Sequence, residues 1–129
     1  MRNIKLGLII AAGVLLIAAC ATPVLNVTDV PVQTNSGQKA SLDDVGKAIT
    51  RAGVALGWQM KTVKPGNIMG TLNLRSHTAV VDVTYNTQSY SINYKDSVNL
   101  KYDGKNIHPN YNGWIQNLDR GIRAQISAL

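Results

Sequence analysis

The chain has 129 residues, room for one domain, and carries 13 basic and 7 acidic residues for a net charge of +6. Its single cysteine excludes an intrachain disulfide framework. The basic residues are scattered and form no run, which gives a nucleic-acid interface no support; a mild positive excess suits ordinary solubility or anionic neighbours such as phospholipid or lipopolysaccharide headgroups.

Met1 to Lys5 carries two positive charges, and Leu6 to Ala19 is a 14-residue apolar run. That run is short of the roughly 20 residues a permanent membrane-spanning helix needs. A basic start, a short apolar core and small residues at the exit describe an export signal over residues 1–19. Ile17-Ala18-Ala19-Cys20 then resembles the lipobox of bacterial lipoproteins. The resemblance implies cleavage before Cys20, a diacylglyceryl group on its sulfur and commonly a third chain on its nitrogen. Two or more chains anchor a protein stably, whereas one does so only marginally. The competing reading is ordinary secretion with cleavage after Ala21, which would discard the only cysteine. Ala21 is not the Asp associated with inner-membrane retention, so by analogy the destination is the outer membrane, facing the periplasm.

Residues 20–40 read as a lipidated tether with a candidate edge strand over 24–32, since Pro31 suits an edge. The globular part is expected over residues 41–129. Ser41 is a candidate N-cap, with Asp43 and Asp44 facing the positive helix end, and Leu42, Val45, Ile49, Ala52 and Leu56 fall at helical spacing before Gly57. Four period-two segments follow: Trp58 to Val63, Ile68 to Arg75, Ala79 to Tyr85 and Ser89 to Tyr94.

A two-residue turn at Ser76-His77 would set Leu74 opposite Ala79 and Leu72 opposite Val81. A four-residue loop from Asn86 to Ser89 would set Tyr85 opposite Tyr90 and Val83 opposite Ile92. A tight Pro65-Gly66 turn would put Trp58 and Met60 on the wet face, and a bulge would return them to the core. Lys95 to Pro109 reads as a polar loop. Asn110 is a candidate cap for a last helix with the stripe Tyr111, Ile115, Leu118, Ile122, Ile126 and Leu129. The expected fold is two-layer α+β, a four-stranded antiparallel meander with an N-terminal and a C-terminal helix on one face.

Gly57-Trp58, Pro65 to Tyr85 (PGNIMGTLNLRSHTAVVDVTY), Tyr90 to Leu100 (YSINYKDSVNL) and Ile107 to Leu118 (IHPNYNGWIQNL) together resemble a family of small uncharacterised proteobacterial lipoproteins. The resemblance spans Gly57 to Ile122 and implies location and fold, with no catalytic residues to carry over.

The chemistry-bearing residues are few. His77 and His108 are the only histidines, with no metal-ligand spacing between them, so neither a metal nor a cofactor is expected. Ser76 and His77 are adjacent, the wrong relation for a nucleophile and its base, and nothing in the spacing brings Asp82, Ser97 and His108 together. Arg75, His77, Lys95, Asp96, Tyr102, His108 and Asn110, with Tyr90, Tyr94, Tyr111 and Trp114 nearby, suit a binding surface. The tyrosines and Trp114 also fall on or beside faces that a core would bury. Two functions stay open. One is a non-catalytic module binding an envelope protein or anionic envelope polymer, with strand addition at a sheet edge as one mode. The other is a small hydrolase or cell-wall-modifying enzyme using His77 or His108.

Overall fold

A computed structural model describes residues 21–129. The segment expected to be an export signal, the lipobox-like sequence and Cys20 lie outside the described residues. The fold is α+β. A five-stranded antiparallel sheet carries two helices, Leu42–Ala55 (α1) and Pro109–Ser127 (α2), which pack on each other and on one sheet face.

In chain order the strands are Thr22–Pro23 (β1), Val27–Pro31 (β2), Gln59–Lys64 (β3), Asn67–Leu74 (β4), His77–Tyr85 (β5), Ser89–Val98 (β6) and Asn106–Ile107 (β7). The sheet order is β2-β6-β5-β4-β3, and β1 pairs with β7 in a separate short ribbon.

The four-stranded meander is thus a part of a larger sheet. Its fifth strand, β2, is an edge strand beside β6. β2 falls within the candidate edge strand expected over 24–32, narrowed to Val27–Pro31. It is short, and its register shifts between Val27 and Val30, where Asp29 takes a left-handed φ of 51°. The segment expected to be a tether is therefore built into the domain from Thr22 onward. Val30 is buried, and Val24, Leu25, Val27 and Val32 pack against the core.

α1 starts where Ser41 Oγ accepts a hydrogen bond from the Asp44 N–H at 3.0 Å. It ends in a Schellman-type arrangement: Trp58 N–H donates to Gly53 O, Gly57 N–H donates to Val54 O, and Gly57 has φ +88°. The cap of α2 corrects an expectation. His108, not Asn110, holds the N-cap position, and its Nδ1 accepts from the Asn110 N–H at 3.1 Å. Pro109 explains the shift: its fixed φ and missing N–H suit the first helical position, so the cap falls on the residue before it. Tyr111, Ile115, Leu118, Ile122 and Ile126 are the buried stripe of α2.

The core face of the sheet holds Ile68, Leu72, Ala79, Val81, Val83, Tyr90 and Ile92. The β3–β4 register shifts between Thr62 and Lys64, so a bulge at Val63 keeps Trp58 and Met60 on that face. Gly70 lies beneath them. A Cβ there would stand 3.2 Å from Met60 Sδ and Val81 Cγ2 and 3.3 Å from Trp58 Cε3, so the glycine makes room for the indole.

The β5–β6 hairpin pairs Tyr85 with Tyr90 and Val83 with Ile92, as expected. The β4–β5 hairpin differs: Leu74 faces His77 and Leu72 faces Ala79, so the turn residues are Arg75 and Ser76 rather than Ser76 and His77. A two-residue shift leaves every side chain on its own face, which is why the apolar pattern could not detect it. It leaves Leu74 exposed at the sheet end.

Arg75 takes a left-handed φ of 57° in this turn, a conformation that costs a non-glycine residue about 1–2 kcal/mol. Arg75→Gly should therefore raise stability by up to about 1 kcal/mol, once the greater freedom of glycine in the unfolded chain is set against the relief. An unchanged or higher urea midpoint is the expected result. A clear drop would mean that the arginine side chain contributes more than its backbone costs.

β6 also runs further than expected. It continues to Val98 through a bulge at Lys95, between the pairs Val81–Tyr94 and Val80–Asp96. The bulge breaks the alternation after Tyr94, so residues expected to begin a polar loop remain in the sheet.

Candidate functional site

The seven side chains singled out from the sequence gather loosely around one end of the domain and its adjoining strand. They do not converge on a cleft. Arg75 is exposed in the β4–β5 turn. His77 opens β5, and its Nδ1–H donates to the Asn99 carbonyl at 2.7 Å, while Asn99 Nδ2 donates to Ser76 Oγ at 3.0 Å. His108 N–H donates to Leu100 O at 2.9 Å, and its ring caps α2 through Asn110. The two histidines thus flank the short segment 99–100 and hold it in place.

Lys95 and Asp96 lie on β6 at the bulge. Lys95 Nζ stands 3.2 Å from Asp82 on the open face of the sheet, and Asp96 Oδ1 accepts from the Ser97 N–H. That ion pair is solvated and contributes little to stability.

Tyr102 is partly exposed, and its ring packs on Tyr94 with centroids 4.1 Å apart; Tyr94 meets Tyr111 edge-on at 5.6 Å. The Tyr94 hydroxyl shares a hydrogen bond with Ser97 Oγ at 2.8 Å. In the loop, Asp103 accepts from the N–H groups of Lys105 and Asn106, and these backbone donors hold its carboxyl below the usual range. Neither histidine ring is bonded to an Asp or Ser side chain, and among the described residues no three of His, Cys, Asp or Glu gather as a metal site would require.

Two features escaped the sequence reading. The first is a groove of about 570 Å³ between α1 and the far end of the sheet, lined by Gly46, Lys47, Thr50 and Arg51 of α1 with Thr62, Pro65 and Tyr85. A Cβ at position 46 would stand 2.6 Å from the Tyr85 hydroxyl oxygen, so the glycine lets the tyrosine lie across the helix. Lys47 is tied to Asp43 at 2.8 Å, and that contact raises its pKa. The groove joins α1 to residues 11 or more positions further along the chain, and only its glycine at a buried helical position hinted at a close approach.

The second is the clamp on the N-terminal segment. Asn112 Oδ1 accepts from Leu25 N–H and its Nδ2 donates to Pro23 O, both at 2.9 Å. Val24 N–H donates to Lys105 O at 3.0 Å, and Asn26 Oδ1 accepts from Tyr94 N–H at 2.8 Å. Nothing sets Asn26 or Asn112 apart from the other asparagines in the sequence.

No helix among the described residues is long and apolar enough to cross a membrane. The chain matches no family model, no curated protein and no solved structure.

Proposed function

We propose that this chain is a lipoprotein of the bacterial envelope, anchored through acylated Cys20 in the outer membrane and facing the periplasm, and that its domain is a non-catalytic binding or structural module. The sequence Ile17-Ala18-Ala19-Cys20, and Ala21 rather than Asp after the cysteine, support the location. The resemblance of residues 57–122 to small proteobacterial lipoproteins agrees with it.

One observation carries the non-catalytic reading. Each histidine spends its Nδ1 on a backbone group that shapes the fold, and neither ring contacts the Asp or Ser that general-base or nucleophilic chemistry would use. The same polar side chains, with Arg75, Lys95 and Tyr102, suit recognition of an envelope protein or an anionic polymer. β3 is a second candidate surface, because among the described residues one of its edges has no neighbouring strand.

An alanine panel separates binding from catalysis. His77→Ala, His108→Ala, Tyr102→Ala and Lys95→Ala are made singly, checked for folding, and scored against the envelope phenotype of a deletion strain. Graded, partial losses spread over several positions are expected. A complete loss confined to one histidine in a folded variant would overturn the binding reading in favour of a hydrolase.

A further inference from the structure

We propose that one end of the domain, formed by the β1–β7 ribbon, the β4–β5 turn and residues 99–105, rests directly on an anionic lipid bilayer; the proposal depends on acylation of Cys20.

The first argument is chain length. β1 begins at Thr22, two residues after Cys20. Consecutive Cα atoms lie about 3.8 Å apart, so the Cys20 Cα is within roughly 8 Å of the Thr22 Cα whatever path the backbone takes. Thr22 itself has little freedom. It pairs with Ile107, and the next residues are fastened by Lys105 and Asn112. An acylated Cys20 thus holds this end of the domain at the headgroups, with no flexible spacer to let it turn away.

The second argument is the chemistry of that end. Leu74, Val98 and Tyr102 are 46%, 57% and 39% exposed. Arg75 adjoins Leu74 in the chain, and Lys101 and Lys105 lie in the same loop as Tyr102, all exposed. Two acids lie in the same region. Asp103 is folded back onto the Lys105 and Asn106 N–H groups, and Asp96 stands two residues further up β6. Exposed apolar and aromatic side chains with cations in the same segments, beside a lipid anchor, fit a bilayer interface of anionic headgroups. The surface overlaps the sequence-derived candidates at Arg75 and Tyr102, and it assigns them a lipid partner.

The test uses mature protein purified from membranes. Intact mass first establishes whether Cys20 is acylated. Val98→Cys, Tyr102→Cys and, at the opposite end of the sheet, Val63→Cys are then labelled singly with an environment-sensitive fluorophore, Cys20 being blocked by its lipid. Each is reconstituted into vesicles of phosphatidylethanolamine and phosphatidylglycerol. The labels at 98 and 102 are expected to shift to the blue and to be quenched by brominated lipid, and the label at 63 to behave as in water. Joint replacement of Arg75, Lys101 and Lys105 by Glu should reduce that shift in these vesicles. An acylated protein whose three labels all behave as in water, or whose Val63 label alone enters the bilayer, would overturn the orientation and leave the lipoprotein reading intact. A protein without acyl mass would overturn both.

Discussion

Trp58→Ala is expected to destabilise the domain by about 3–5 kcal/mol, the usual loss for truncating a buried large aromatic. Trp58 is only 3% exposed, and its ring lies over Gly70 beside Met60. Its position depends on the bulge at Val63. Without that extra residue the face of β3 would invert, sending Trp58 and Met60 to solvent and Val63 inward. The native arrangement instead leaves Val63 55% exposed. The space under the indole cannot close readily, because Gly70 has no side chain to fill it. Urea unfolding followed by far-ultraviolet circular dichroism measures the loss. A change below about 1 kcal/mol, a size ordinary for surface positions, would mean that the ring does not fill this part of the core.

The second large effect concerns two buried tyrosines that differ in their partners. The Tyr90 hydroxyl donates to the Asp119 carboxylate, which is also held by Arg123. Tyr111 is fully buried, and its hydroxyl has no hydrogen-bond partner among the described residues. Tyr90→Phe should cost about 1.5–3 kcal/mol, the range for a hydrogen bond to a charged group, and Tyr111→Phe should be neutral or slightly stabilising.

Both phenols have pKa values raised, first by burial. At Tyr90 the hydrogen bond to Asp119 and its negative charge add to the rise; at Tyr111 the neighbouring Tyr94 and Tyr102 add to it. A raised folded-state value means that the folded chain keeps its protons when the unfolded chain has lost them. The stabilisation is complete below the unfolded value near 10 and declines as pH rises beyond it, by up to about 1.4 kcal/mol per pH unit for each tyrosine. Stability measured between pH 9 and 11 should therefore fall, and Tyr90→Phe should lessen the slope. A slope unchanged in that variant would mean that the alkaline loss arises elsewhere.

Much of the fold was legible because local chemistry and global packing agree along most of the chain. Ser41 caps α1, Gly57 ends it, and the Tyr85–Tyr90 pairing follows from loop length and side-chain alternation. What escaped the sequence was what local pattern does not encode. The shift at Arg75-Ser76 preserves faces, and an arginine gives no sign of a left-handed backbone. The bulge at Lys95 interrupts the alternation that would have revealed the full length of β6. The candidate site was legible as residue types only. That His77 secures Asn99, that His108 caps a helix and that Asn112 fastens the N-terminal segment depend on contacts made in the folded chain, two of them across 22 and 89 residues.

Membrane retention through Cys20 is the claim on which the proposed role rests, and one fractionation tests it. Cys20→Ala is expressed beside the unaltered chain, and envelopes are washed with high salt and carbonate. The unaltered protein should remain in the membrane pellet and the variant should be released, because alanine has no thiol to carry the acyl chains. A variant that stays in the pellet as firmly as the unaltered protein would contradict the account.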